Sequence, residues 1–262
     1  TRLAMGGFSR EFMAPVYTCP ECKDTGYIGD KKCRCFQQKI RHILYSQSNI
    51  EDVAGTESFS AFRREYYSTQ RSGREKLSPR ENIENVLSAS HSFIESFDSK
   101  PGQNLLIYGN AGVGKTFLSN CIAGELLNRG KGVIYLTAYQ FFDQLADYTF
   151  RRGANNAQTL PAFLHCDLLI IDDLGAERST DFALEKVYDI VDSRYRAKLP
   201  IILTTNLSMT EMKESADIRY TRIYDRIFEM CYPMQFTGRS WRKAEAARRF
   251  DEMKNFLEGN DG

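Results

Sequence analysis

Eight consecutive residues, Gly109-Asn110-Ala111-Gly112-Val113-Gly114-Lys115-Thr116, combine three glycines, a lysine and a hydroxyl at a spacing able to wrap a polyphosphate. Glycines let the backbone curl with its N–H groups inward, where side chains would obstruct it. Lys115 would place an ammonium on the β- and γ-phosphates, Thr116 would offer its hydroxyl to Mg²⁺, and the dipole of a following helix would favour the anion. Further along, Asp172 and Asp173 close the apolar run Leu168-Leu169-Ile170-Ile171. Carboxylates at the end of a buried strand lie where an α/β sheet presents its ligands, so Asp172 is expected to hold Mg²⁺ and Asp173 to orient the attacking water. Asn206, after Ile201-Ile202-Leu203-Thr204-Thr205, is expected near the γ-phosphate. Arg222 and Arg226 stand four apart on one helical face, far along the chain from the loop. Phosphoryl transfer gains greatly from an added guanidinium, often a neighbouring subunit's, which points to a finger that acts on assembly.

A second constellation is Cys19-Pro20-Glu21-Cys22, ten residues containing Gly26 and Gly29, and then Cys33-Arg34-Cys35. Two close cysteine pairs on a glycine-containing knuckle can present four thiolates to one tetrahedral Zn²⁺. Four thiolates leave no open coordination position, so such a centre is structural. The one-residue gap between Cys33 and Cys35 is tighter than usual and leaves a redox pair or disulfide as the alternative. Cys121, Cys166 and Cys231 sit in or beside apolar runs and read as small buried hydrophobes.

These groups need a scaffold, and the hydrophobic pattern supplies one. Ser78-Pro79-Arg80-Glu81 is a capping box with proline at the first helical position, predicting a helix to about Phe97. Strands are predicted at 104–108, 133–137, 167–171 and 201–205, separated by amphipathic helices, the arrangement of a parallel α/β sheet. Between Phe36 and about Arg74 the chain is polar. It carries Phe59, Phe62, Tyr66 and Tyr67 among arginines, a segment read as a linker whose rings either line an adenine pocket or pack beneath the first helix.

At 262 residues, 42% hydrophobic and 26% charged, the chain can bury one core of ordinary size plus a small appendage. Net charge is +1, so nucleic-acid binding would have to come from local patches. The first fifty residues hold eight Lys/Arg against four Asp/Glu. No run of eighteen apolar residues and no signal-peptide core is present, which reads as a cytoplasmic protein with no membrane partner. Thr1 in place of an initiator Met raises the expectation of an upstream segment.

The series Gly-Asn-Ala-Gly-Val-Gly-Lys-Thr, Leu-Leu-Ile-Ile-Asp-Asp-Leu-Gly, Leu-Thr-Thr-Asn-Leu, Arg-Ile-Tyr-Asp-Arg-Ile and Phe-Thr-Gly-Arg-Ser-Trp-Arg resembles the bacterial AAA+ helicase loaders of the DnaC/DnaI type, with IstB transposition ATPases close by. The resemblance implies an AAA+ P-loop core with a parallel sheet, preceded by a small zinc-binding region. Only residues 237–262 follow Phe236, too few for a full helical lid, so the lid is expected to be truncated. Regions are expected at 1–45 (zinc, the end of a longer helicase-binding part), 46–76 (linker and adenine-pocket segment) and 77–262 (ATPase). The family pattern makes Arg226 the finger in trans with Arg222 supporting it, and Arg242, with Arg239 as alternative, the arginine that reads nucleotide within the same subunit. Asp173 stands where the common pattern has Glu, which implies slow hydrolysis. The implied function is ATP-dependent loading of a replicative hexameric helicase onto single-stranded DNA, with self-assembly through the ATP site. Tyr148, Phe150, Arg151 and Arg152 combine rings and charge suited to the DNA strand. The alternatives are an IstB-like helper of a transposase and a zinc-dependent adaptor that binds ATP with negligible hydrolysis.

Overall fold

The computed structural model describes residues 17–48, 50, 56–71, 76–150, 159–175, 181–214, 218–243, 246, 249, 250 and 253. The chain divides into two compact units, Thr1–Ile43 and Leu44–Gly262.

In the first unit, β1 (Tyr27–Ile28) and β2 (Lys31–Lys32) form a short antiparallel hairpin before α1 (Arg34–Gln47). A hairpin this small cannot support itself by strand pairing. Its support is the cysteine cluster on either side of it.

The second unit opens with two 3₁₀ turns, Phe59–Ala61 and Arg64–Tyr66. It continues through α2 (Pro79–Glu95), β3 (Asn104–Gly109), α3 (Lys115–Asn128), β4 (Val133–Thr137) and α4 (Ala138–Phe150). Then come α5 (Thr159–His165), β5 (Leu168–Asp172), α6 (Asp181–Arg196) and β6 (Ile201–Thr205). The last elements are α7 (Met209–Lys213), α8 (Ile218–Met230) and β7 (Cys231–Phe236). The capping box forms: Ser78 Oγ accepts from Glu81 N at 3.2 Å and Glu81 Oε2 accepts from Ser78 N at 2.7 Å.

The five strands β3 to β7 make one parallel sheet in the order β4-β5-β6-β3-β7. Leu106, Leu136, Leu169, Ile171 and Leu203 face one side, against Phe141, Val187, Ile190 and Ile227 from α4, α6 and α8. Leu105, Ile107, Ile170 and Ile202 face the other, against Ile83, Leu118, Ile122 and Leu126 from α2 and α3. Every position of β5 and β6 is buried, which explains the apolar runs at 168–171 and 201–203.

The four strands read from sequence appear at their expected places to within a residue. β7 is not among them, because its half-exposed pattern and internal Pro233 suit only an edge, and among the described residues it pairs with β3 alone. The segment read as a linker instead adds Ile50, Tyr67, Phe59 and Phe62 to the core beneath α2 and α3. Among the described residues, no helix is long and apolar enough to cross a membrane.

Candidate nucleotide site and cysteine centre

The loop Gly109–Thr116 leaves β3 and enters α3 at the C-terminal edge of the sheet. All three of its glycines have positive φ and no room for a Cβ, which on Gly109 (φ +142°) would meet the Phe236 carbonyl oxygen at 2.3 Å. Gly112 has φ +77° and a Cβ there would meet Ser240 Oγ at 2.3 Å; Gly114 has φ +107° and a Cβ would meet the Tyr67 hydroxyl at 2.7 Å. That hydroxyl donates to the Val113 carbonyl at 2.6 Å, and Trp241 N donates to the Gly112 carbonyl at 3.0 Å. The loop is therefore held from outside by two segments distant in sequence.

A cavity of about 420 Å³ opens on the inner side of the loop. Ala111, Gly112, Gly114, Lys115, Thr116, Asp172, Asp173, Asn206 and Arg242 line it together. Gly109, Asn110 and Val113 complete the turn: Lys115 Nζ donates to the Gly109 carbonyl at 2.7 Å, the Asn110 carbonyl at 2.8 Å and Asn206 Oδ1 at 2.7 Å. Burial pushes the Lys115 ammonium down to about 8, an effect that Asp173 and Asp172 partly offset. A cation so poorly hydrated gains strongly from a phosphate oxygen.

Thr116 Oγ1 donates to Asp172 Oδ2 at 2.9 Å. Cis oxygens on an octahedral Mg²⁺ with ligands at about 2.1 Å stand about 3 Å apart, so this pair fits the ion. Asp172 Oδ1 also accepts from Thr204 Oγ1 at 2.5 Å, and burial together with the Asp172 charge keeps the Tyr135 phenol protonated beside it. Asp173 takes a left-handed backbone, φ +63°, and its carboxylate accepts from Asn206 Nδ2. Asp and Asn tolerate that region better than longer side chains, which gives the shorter acid a local rationale.

The geometry separates the two late arginines. Arg242 lines the nucleotide cavity, whereas Arg239 lines a different cleft behind the loop, with Tyr108 and Gln235. Neither Arg222 nor Arg226 lines the cavity. Arg226 pairs with Asp192 of α6 and with Glu229 at 2.7 Å, and lies over the Tyr195 ring at 5.3 Å. Tyr148 and Phe150 fall in the last turn of α4, and Arg151 and Arg152 lie outside the described residues.

Next to the loop, a second cavity of about 330 Å³ is lined by Glu57, Phe62, Tyr66, Tyr67, Phe117 and Trp241 among others. Tyr66 stacks on Trp241 with centroids 5.8 Å apart, and Phe62 stacks on Tyr67 at 6.0 Å. Tyr67 thus packs in the core, while Tyr66 and Phe62 wall an aromatic slot beside the phosphate loop. Sequence reasoning missed Tyr135, Thr204, Ser240 and Trp241 as site residues. Trp241 carried a signal as the single tryptophan of the chain, standing directly before Arg242.

In the first unit, the sulfur atoms of Cys19, Cys22, Cys33 and Cys35 all lie within 4.8 Å of one another. Cys19 and Cys33 are 3.8 Å apart and Cys22 and Cys35 3.4 Å. A tetrahedral zinc with Zn–S about 2.3 Å has edges of about 3.8 Å, so the set fits that ion. Asp24 buttresses the first pair, its carboxylate accepting from Thr18 N at 2.9 Å and Cys19 N at 2.8 Å, and those two N–H groups hold its carboxyl below the usual range.

With this geometry established, comparison with known proteins places it. The model of the IstB-like ATP binding protein family matches residues 75–248. The replicative helicase loader DnaC of Escherichia coli (strain K12) is 33% identical over 144 residues, covering 55% of this chain and 57% of DnaC. The replicative helicase loader DnaI of Bacillus subtilis (strain 168) is 27% identical over 165 residues, covering 57% of this chain and 51% of DnaI. The chain therefore spans little more than half the length of these relatives. Among solved structures, the DnaC helicase loader superposes with a TM-score of 0.53 at 22% identity, over 67% of this chain and 96% of that one, a likeness of fold. The parallel sheet, the phosphate loop and the matched residues together mean that the chain belongs to the IstB-like ATP binding protein family, as an AAA+ ATPase related to the DnaC and DnaI loaders.

Proposed function

We propose that this chain is an ATP-dependent loader of a replicative hexameric helicase, which it places on single-stranded DNA, with bound ATP acting as a switch. The observation that carries the reading is one cavity that gathers the candidate nucleotide-site residues of a single protomer but not Arg226. Lys115, Thr116, Asp172, Asp173, Asn206 and Arg242 surround one cavity, while Arg226 is held elsewhere on α8. Such a site binds nucleotide alone and finishes its chemistry only when a second copy supplies the guanidinium. The similarity to DnaC and DnaI supports the choice of partner.

In this reading Lys115 and the loop N–H groups neutralise the β- and γ-phosphates, and Thr116 and Asp172 hold Mg²⁺, which supplies charge stabilisation there. Asp173 orients the attacking water and Asn206, bonded to both Lys115 and Asp173, reports whether a γ-phosphate is present. Arg242 reads the nucleotide from its own subunit. The slot of Phe62, Tyr66 and Trp241 takes the base. Tyr148, Phe150, Arg151 and Arg152 contact the DNA strand, and the cysteine-bearing region at 1–45 belongs to the helicase-contacting part, ahead of 46–76 and the ATPase at 77–262.

The test is co-purification of the full chain with its host's replicative helicase in ATP and in ADP. Retention in at least one nucleotide state is expected, and failure in both would overturn loading. The family match favours one other reading, an IstB-like helper of a transposase, for which a transposase in place of the helicase would be retained.

The cysteine centre has its own expected result. Stripping zinc with a chelator releases four reactive thiols per chain, those of Cys19, Cys22, Cys33 and Cys35, and exposes residues 17–40 to proteolysis, because the metal supplies the folding energy that the two-residue strands cannot. Thiol titration and limited proteolysis read this out. Protection that survives chelation would show that the unit stands without metal.

A further inference from the structure

The backbone ladder between β5 and β6 ends at Ile171 opposite Leu203, one residue short of the acidic pair. Beyond that point threonine side chains take over. Thr204, 1% exposed, donates its hydroxyl proton to Asp172 Oδ1 at 2.5 Å, and Thr204 Oγ1 in turn accepts from Asp173 N at 2.9 Å. Its carbonyl accepts from Leu174 N at 2.8 Å, and Thr205 Oγ1 donates to the Leu174 carbonyl at 2.6 Å. The last residue of β5 and the two that follow it are thus pinned by two consecutive residues of β6, and the next residue along is Asn206.

We infer that Thr204 is a positioning residue of the ATP site, whose one hydroxyl sets the rotamer of Asp172 and the left-handed turn at Asp173 together. The inference rests on the reading of this cavity as an ATP site. A hydroxyl has one proton to give and lone pairs to receive, so only a group of that kind can serve the carboxylate and the amide at once. Without it, Asp172 is free to rotate Oδ2 away from Thr116 Oγ1, and the Asp173 N–H loses its partner, so φ +63° is no longer fixed. Carboxylate, turn and Asn206 would then move independently instead of as one piece anchored on β6.

Thr204→Val preserves shape and removes the hydroxyl; Thr204→Ser keeps the hydroxyl and removes the methyl. Affinity of the full chain for a fluorescent ATP analogue is measured in EDTA and in Mg²⁺, alongside turnover. For Thr204→Val, affinity in EDTA is expected to stay within about twofold, while the gain on adding Mg²⁺ and the turnover each fall about tenfold, the loss expected for one buried hydrogen-bond donor to a charged group. Thr204→Ser is expected to restore both to within about threefold. An unimpaired Thr204→Val, or a Thr204→Ser as impaired as Thr204→Val, overturns the inference. If Thr204→Val does not fold, Thr204→Ala against Thr204→Ser carries the same contrast. An unaltered chain that binds no nucleotide in either condition overturns the ATP reading and the clamp with it, whereas a normal unaltered chain beside an unimpaired valine variant overturns the clamp alone.

Discussion

Alanine at Arg226 is expected to lower assembly-dependent ATP turnover on the order of 10³-fold while nucleotide affinity of the isolated chain stays within about twofold. The guanidinium lines no part of its own cavity, so nothing it touches in the protomer can help bind ATP. Its present partners are Asp192, Glu229 and the Tyr195 ring. To reach a neighbour's γ-phosphate it must leave them, and Asp192 would not be stranded, because Arg196 already pairs with its other oxygen at 2.7 Å. Asp192 is buried but keeps the Arg196 guanidinium as its partner, so the variant should remain folded. Mixing chains that carry Lys115→Ala with chains that carry Arg226→Ala gives the decisive measurement. Each mixed interface can join an intact loop to an intact finger, and turnover should partly return. Turnover of Arg226→Ala equal to that of the unaltered chain would remove the finger from α8.

The second large effect concerns stability. Arg194 is fully buried in α6 and faces no carboxylate at bonding distance among the described residues. Its guanidinium instead donates to backbone carbonyls: NH1 to Phe163 at 2.8 Å and Cys166 at 3.0 Å, and NH2 to Pro200 at 2.6 Å. Those carbonyls belong to the last turn of α5, to the turn between α5 and β5 and to the turn into β6, so one side chain ties together the entries of two central strands. Burial lowers its pKa from the usual arginine value. Arg194→Ala would take a strong donor from three carbonyls, of which Pro200 keeps only the Leu169 N–H at 3.3 Å, and leave a cavity the size of the side chain, a loss of about 3–5 kcal/mol. Set against a total of about 5–15 kcal/mol, that is a large fraction. At about 2–4 °C per kcal/mol for a unit of this size, thermal unfolding should shift down by about 10 °C. A shift under about 2 °C would mean that water replaces the guanidinium without cost. Nucleotide affinity below the transition should be unchanged, because these contacts lie at the N-terminal ends of β5 and β6, a strand's length from Asp172 and Asn206.

Arg194 also shows where reading along the chain reaches its limit. Within Asp192-Ser193-Arg194-Tyr195-Arg196 two arginines look alike, yet Arg196 stands 76% exposed and Arg194 not at all. The helical period held a clue: Val187, Ile190, Val191 and Arg194 follow i, i+3, i+4, i+7, a single buried stripe. What the period could not supply was the set of carbonyls that make burial of the charge tolerable. β7 escaped for a related reason, since an edge strand buries only part of itself and needs no continuous apolar run.

Local chemistry was written in the sequence because it depends on neighbours a few residues apart. Glycines that free a loop, a lysine and threonine at its end, cysteine pairs on a knuckle, a capping box and apolar runs of strand length all act at short range, and each appears where the spacing placed it. Contacts between remote segments were not written there. That Trp241 and Tyr67 hold the phosphate loop, that Arg242 rather than Arg239 enters the cavity, that Arg226 is kept outside it, and that Thr204 reaches across to both acids depend on strand order. Placing β3 between β6 and β7 brings residues about 90 and 130 positions from Lys115 to its side, and no periodicity within one segment encodes that adjacency.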